Sequence, residues 1–142
     1  MATTRTASAH WEGSLMEGAG QVSLESSGIG TYDVSWPSRA EAANGKTSPE
    51  ELLAAAHSTC FSMALSHAFF FNDTATTEIY TTADVTFQPG TGITGIVLKV
   101  VGDVPGITAE QFQGAAEAAK AGCPVSQALA AVPITLEATF AG

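Results

Sequence analysis

The stretch TSPEELLAAAHSTCFSMALSHAFFF, Thr47 to Phe71, limits the possible folds more than any other part of the chain. It opens with clear helix-start chemistry. Ser48 can cap, Pro49 suits the first helical position, and Glu51 completes a capping box. Glu50 and Glu51 also favour the positive end of the helix dipole. Leu52, Leu53, Ala56, Cys60, Met63, Ala64 and Ala68 recur at helical spacing, and the helix is predicted to end near Asn72-Asp73. His57, Ser58, Ser62, Ser66 and His67 interrupt the apolar run. It is therefore a poor membrane span and reads as a buried helix.

A chain of 142 residues suits one domain with a real core, and 45% hydrophobic against 13% charged residues marks it as globular. Fourteen acidic against five basic residues leave a net charge of -9, which argues against nucleic acid and anionic membrane surfaces as partners. The N-terminal residues MATTRTASAHWEGS lack an apolar signal core, so the expected compartment is the cytoplasm. There, two cysteines point to catalysis, redox sensing or metal binding more than to a structural disulfide.

Residues 9–35 alternate polar and apolar types between glycines and read as two or three strands in a meander. Trp36-Pro37-Ser38-Arg39 closes that section, and Glu41 to Lys46 reads as a polar loop containing Asn44-Gly45. Residues 76–88 and 93–102 read as strands joined by Pro89-Gly90-Thr91-Gly92. Thr108 to Gln111 is a second capping box, opening a helix to about Lys120 that Gly122 ends. Cys123-Pro124-Val125 starts another short helix, and Ile134 to Phe140 alternates as a last strand. The sum is one α+β domain covering residues 1–142.

The run from Phe69 to Tyr80 fits badly. Three consecutive aromatics precede a threonine-rich segment, and residues 69–81 resemble the translation of a sequencing-library adapter. The expectation is that this segment is partly an assembly artefact spliced into a natural gene; a real helix end leading into a loop is the alternative. No function is placed there.

Cys60 sits in the middle of the long helix. It is either a small core residue or a reactive thiol. Burial alone raises a thiol pKa and makes it inert, so activity requires a cation brought close by the fold. Only Arg5, Arg39, Lys46, Lys99 and Lys120 are available, and Arg39, on the constrained segment after Trp36-Pro37, is best placed. Cys123 lies at a helix start, where backbone N–H groups can polarise a thiol, or is a cap-region residue with no role. Two such cysteines make a peroxide cycle possible. One thiolate attacks an O–O bond and becomes a sulfenic acid, the second thiol condenses with it, and an external dithiol reopens the disulfide. His57 is one turn before Cys60; it is either a satisfied polar residue or a group that tunes the thiol. Zinc held by His57, Cys60 and Cys123 lacks an evident fourth ligand, and no metal is expected. No phosphate loop and no cofactor motif is present.

The residues Thr47 to Leu65 closely resemble the active-site helix of the OsmC/Ohr family, the osmotically inducible and organic hydroperoxide resistance proteins. Ala121-Gly122-Cys123-Pro124-Val125-Ser126 resembles that family's second cysteine motif. Trp11-Glu12-Gly13, Val34-Ser35-Trp36 and Ser38-Arg39 resemble the OsmC branch. The resemblance implies antiparallel sheets wrapped around central helices in an intertwined homodimer. It implies a thiol peroxidase acting on organic hydroperoxides and hydrogen peroxide. Cys60 matches the peroxidatic cysteine, Cys123 the resolving one, Arg39 the arginine that stabilises the thiolate, and Glu50 the glutamate that holds it. The implied reductant is an external dithiol, of lipoyl type in Ohr members. A non-catalytic redox sensor or a binder of hydrophobic small molecules is the alternative.

Glu50 and Cys60 are ten residues apart on one predicted helix, roughly 15 Å along its axis. Glu50 is therefore expected to serve the partner chain's Cys60, unless the helix breaks between them.

Overall fold

The computed structural model describes residues 1–69 and 77–142. The expected helix end at Asn72-Asp73 and most of the adapter-like segment lie outside the described residues. The chain divides into two compact units, Met1–Leu52 and Leu53–Gly142.

The first unit is the expected meander. Strands β1 (Ser8–Glu12), β2 (Ala19–Ser23) and β3 (Thr31–Val34) form an antiparallel sheet in the order β1-β2-β3. The segment read as merely closing this section is in fact a short helix, α1 (Trp36–Ala40). Its cause is local. The Ser35 hydroxyl accepts from the Ser38 N–H, the Ser38 hydroxyl accepts from the Ser35 N–H, and Pro37 occupies the first turn. The serine at the third helical position takes the place of the usual Glu or Gln.

After α1 the chain turns back through Asn44 (φ 50°) and Gly45 (φ 78°), two successive left-handed residues that suit this dipeptide. The Thr47 N–H then donates to the Asp33 carbonyl at 3.0 Å, and the buried Ser38 hydroxyl reaches the Thr47 carbonyl at 3.2 Å. These bonds tie the start of the long helix, α2 (Pro49–Ala68), to α1 and β3. The α2 cap differs from the expected box in one half. Ser48 accepts from the Glu51 N–H at 3.2 Å, but the Glu51 carboxylate turns outward to the Thr47 hydroxyl at 2.6 Å.

The second unit holds the rest of α2, then β4 (Glu78–Gln88), β5 (Gly92–Asp103), α3 (Ala109–Gly122), α4 (Pro124–Ala128) and β6 (Ile134–Phe140). Strands β4 and β5 form a long antiparallel hairpin with a bulge at Thr86/Phe87. The sheet is not wholly antiparallel, however: β6 pairs parallel to β5, from Ile96 opposite Ile134 to Gly102 opposite Phe140. The reason is the crossover. The connection from β5 to β6 carries two helices, long enough to return the chain to the same end of the sheet.

The core of this unit joins Phe61 and Leu65 of α2, and Phe69 just after it, to Leu98 and Val100 of β5, Val104, and Phe112, Ala116 and Ala119 of α3. The Phe112 ring stacks 6.1 Å from Phe69 and tilts 5.5 Å from Phe140. It lies directly on Gly102, where any Cβ would overlap it. A glycine in the middle of a strand is normally a loss; here it makes room for an aromatic ring. Among the described residues no helix is long and apolar enough to cross a membrane.

The buried face of α2 carries Phe61 and Leu65 rather than the Ala56, Met63 and Ala68 positions of the helical spacing. His57, Phe61, Leu65 and, just beyond the helix, Phe69 are buried, four residues apart each time. Met63 is 69% exposed, and Ala56 and Ala68 are exposed as well. A helix apolar on nearly every side offers no single stripe, so side-chain size and the shape of β5 and α3 choose the face.

Candidate active site

Two groups of candidate residues form, one in each unit. In the first, Arg39 and Glu50 make a tight charged pair. The guanidinium donates from Nε to both carboxylate oxygens, at 3.0 and 3.3 Å, and from Nη2 to Oε1 at 2.8 Å. Glu50 is buried and Arg39 half-buried, which favours a strong, oriented pair over a screened surface contact. The indole of Trp36 stands 6.0 Å from the guanidinium carbon. α1 supplies Arg39 in its last turn and α2 supplies Glu50 in its first, so the loop between them sets the pair. A mostly apolar hollow of about 290 Å³ adjoins Arg39, with Trp11, Leu15, Val22, Val34 and Trp36 among its walls.

In the second unit, Cys60 and Cys123 are both free thiols and lie near each other, close enough to shift each other's titration. Their settings differ. Cys60 is partly open, whereas Cys123 is fully buried. Cys123 closes α3 and caps α4, and Pro124 takes the first helical position as expected. Burial pushes the Cys60 thiol pKa up, its hydrogen bond and charge interaction with Cys123 push it further, and the Val125 N–H opposes both. Burial acts upward on Cys123 too. There it is outweighed by hydrogen bonds from the Cys60 thiol, the Ser126 N–H and hydroxyl, and the Val125 N–H, so its pKa falls. The start of α4 crowds donors around the Cys123 sulfur.

His57, one turn before Cys60, is fully buried and lies 2.7 Å through Nε2 from the Ser126 hydroxyl. Burial holds its pKa below the ordinary histidine value, so it is neutral at pH 7. The sequence motif contains Ser126, yet gives it no evident role. Its place three residues after Cys123, in the first turn of α4, was the available signal. Among the described residues no group of three or more His, Cys, Asp and Glu side chains is placed to hold a metal ion.

A family model for OsmC-like proteins matches residues 42–137, which include Glu50 and both cysteines. The chain belongs to the OsmC family. Peroxiredoxin OsmC of Escherichia coli is 48% identical to this OsmC-like chain over 132 residues, 91% of each protein. The same protein of Shigella flexneri matches equally. Among solved structures, an organic hydroperoxide resistance protein OsmC from Legionella pneumophila covers 98% of both chains with a TM-score of 0.72 at 23% identity, a likeness of fold. The organic hydroperoxide resistance protein OhrB of Bacillus subtilis is 27% identical, covering 94% of this chain and 98% of its own, with a TM-score of 0.63.

Proposed function

We propose that this OsmC-family chain is a thiol peroxidase that reduces organic hydroperoxides and hydrogen peroxide, with Cys60 as the attacking sulfur and Cys123 as the resolving one. The observation that carries this reading is a pair of neighbouring free thiols, one partly open and one sealed. A peroxide can reach only the open sulfur. The sealed one can do nothing except attack its neighbour.

The chemistry balances as follows. The Cys60 thiolate attacks the terminal peroxide oxygen; an S–O bond forms, the O–O bond breaks, and the departing alkoxide takes a proton to leave as alcohol. Cys123 then attacks the Cys60 sulfenic acid, and water leaves as the S–S bond forms. An external dithiol, of lipoyl type or another small or protein dithiol, restores both thiols by exchange.

Burial and Cys123 hold the Cys60 pKa up, so the first step needs a cation. Arg39 is the group assigned to that task, with Glu50 fixing its orientation. The apolar hollow beside Arg39 supports substrates with an organic substituent.

The active form is a homodimer in this reading, and residues 1–142 act as one domain within it. Three features support this. α2 runs unbroken from Pro49 to Ala68, which keeps Glu50 about 15 Å along the axis from Cys60 and favours delivery of Arg39 and Glu50 to the partner's thiol. Met63 on α2 is exposed in the single chain. So are Leu15 and Ile29. Such apolar exposure is what an intertwined dimer would cover.

The test is peroxide consumption with a dithiol reductant, followed by intact-mass analysis after one equivalent of peroxide. A loss of two hydrogens that maps to a bond between positions 60 and 123 supports the cycle; turnover by Cys60→Ser at the wild-type rate defeats it.

A further inference from the structure

Two buried side chains line up behind the resolving sulfur. His57 Nε2 is 2.7 Å from the Ser126 hydroxyl, and Ser126 stands three residues from Cys123 in the first turn of α4, where its hydroxyl and N–H favour the charged form of that sulfur. His57 and Cys123 are fully buried and Ser126 nearly so. The chain links α2 to α4 by a route separate from the contact between the thiols. His57 and Cys60 are three residues apart on α2, so the helix presents both to the same short segment, Cys123–Ser126.

The direction of this chain follows from one unpaired atom. His57 Nδ1 is buried without a hydrogen-bond partner. A neutral imidazole carries its proton on one nitrogen only. If Nδ1 held it, a donor would be stranded in the core; if Nε2 holds it, only a lone pair is left unused. Stranded buried N–H groups are the rarer and costlier case. Nε2 therefore donates to Ser126 Oγ. With its oxygen so engaged, the Ser126 hydroxyl has its own proton free for the nearby Cys123 sulfur.

We propose that His57 is a positioning residue for disulfide formation: it locks the Ser126 hydroxyl as a donor to Cys123, stabilising the charge that this sulfur must carry to attack the oxidised Cys60. The inference rests on the reading of Cys123 as the resolving thiol. In the step itself, the Cys123 sulfur bonds to the Cys60 sulfur and the S–O bond of the sulfenic acid breaks. The hydroxide released combines with the proton that Cys123 gave up and leaves as water. Cys123 is oxidised and Cys60 reduced. His57 and Ser126 keep their protons throughout, so neither needs to titrate.

The experiment is rapid-quench mass spectrometry of the full-length protein after one equivalent of an organic hydroperoxide. It follows the Cys60 sulfenic acid and the 60–123 disulfide separately. In Ser126→Ala, the rate of disulfide formation relative to sulfenic acid formation should fall roughly tenfold or more. Sulfinic acid at Cys60 should rise as peroxide is increased. Ser126→Thr, which keeps the hydroxyl, should restore most of the ratio. His57→Gln, which keeps an N–H donor, should resolve faster than His57→Leu, which has none.

Equal ratios in wild type, Ser126→Ala and His57→Leu would overturn the proposal, as would a His57→Gln no better than His57→Leu. If His57→Leu fails to fold, the serine pair alone decides. The two levels of the argument fail differently. A wild-type protein that never forms the 60–123 bond sinks the peroxidase cycle, whereas one that forms it at a rate indifferent to Ser126 sinks only the positioning role.

Discussion

In the first unit, Met1–Leu52, the buried side chains among the described residues are Ser38 and Glu50; in the second they are Phe61, Leu65, Leu98, Val100, Phe112 and their neighbours, with His57, Cys123 and Ser126 at one end. One unit is organised around a charged pair and a serine cap, and leaves Leu15, Met16 and Ile29 exposed. The other is organised around close-packed apolar side chains. The comparison teaches where different properties reside. Stability lies in the second unit, because apolar burial is the dominant favourable term in folding. The cation lies in the first, which has no apolar interior of its own among the described residues. The two thiols share the second unit.

The largest test of this division is Cys60→Ser, which should reduce peroxide consumption to background while leaving the melting curve close to wild type. Cys60, the sulfur proposed to attack peroxide, is only partly buried and should matter for chemistry and little for folding. A variant that remained active would place the chemistry elsewhere.

Next comes the core itself. Leu65→Ala should cost about 2–5 kcal/mol in a urea titration, because Leu65 is fully buried among Phe61, Phe112 and β5 neighbours. Leu15→Ala, at a site 56% exposed, should change that stability by less than about 0.5 kcal/mol when measured on the monomer. In sedimentation experiments, however, the same Leu15 variant should weaken self-association. Equal costs in the two titrations would erase the distinction between the units.

Arg39→Lys should be intermediate. Two pKa units of thiolate stabilisation correspond to about 2.7 kcal/mol, or roughly a hundredfold in thiolate fraction, which bounds the loss in the rate of sulfenic acid formation. Lysine keeps the charge but cannot reproduce the Nε and Nη2 contacts with Glu50. A rate within twofold of wild type, followed by stopped-flow with excess peroxide, would show that orientation is unimportant.

The smallest effect concerns acid. Burial holds the His57 pKa below its ordinary value. As pH falls through about 6.5, unfolded chains take up this proton and folded ones resist it, so the unfolded state binds more protons and stability declines. Above that window the contribution is fully present. The urea midpoint should therefore drop between pH 7.5 and 5.5, and drop less in His57→Gln. Parallel declines in both proteins would remove His57 as a cause.

Much of this was readable in the linear chain. Ser48-Pro49, Thr108 with Gln111, and Cys123-Pro124 mark helix starts by local hydrogen bonding, and the stretches 76–88, 93–102 and 134–140 read as strands to within two residues of those observed among the described residues. The Cys123 motif was equally legible, because a sulfur at a helix start carries its chemistry in its immediate neighbours. α1 was missed because its cap uses serine at both ends, a weaker signal than Ser with Glu.

What depended on residues far apart in sequence was decided only in three dimensions. α2 is apolar on most sides, so composition could not say that His57, Phe61 and Leu65 turn inward while Met63 stays out. Alternation identifies β6 as a strand but is the same for either direction; the two-helix crossover made it parallel to β5. Ser126 became significant only when α4 brought its hydroxyl to a histidine on α2. Caps, turns and strand alternation are set by interactions over a few residues, which the sequence states directly. Facing, direction and partnership are set by which surfaces meet, and that depends on packing the whole unit at once.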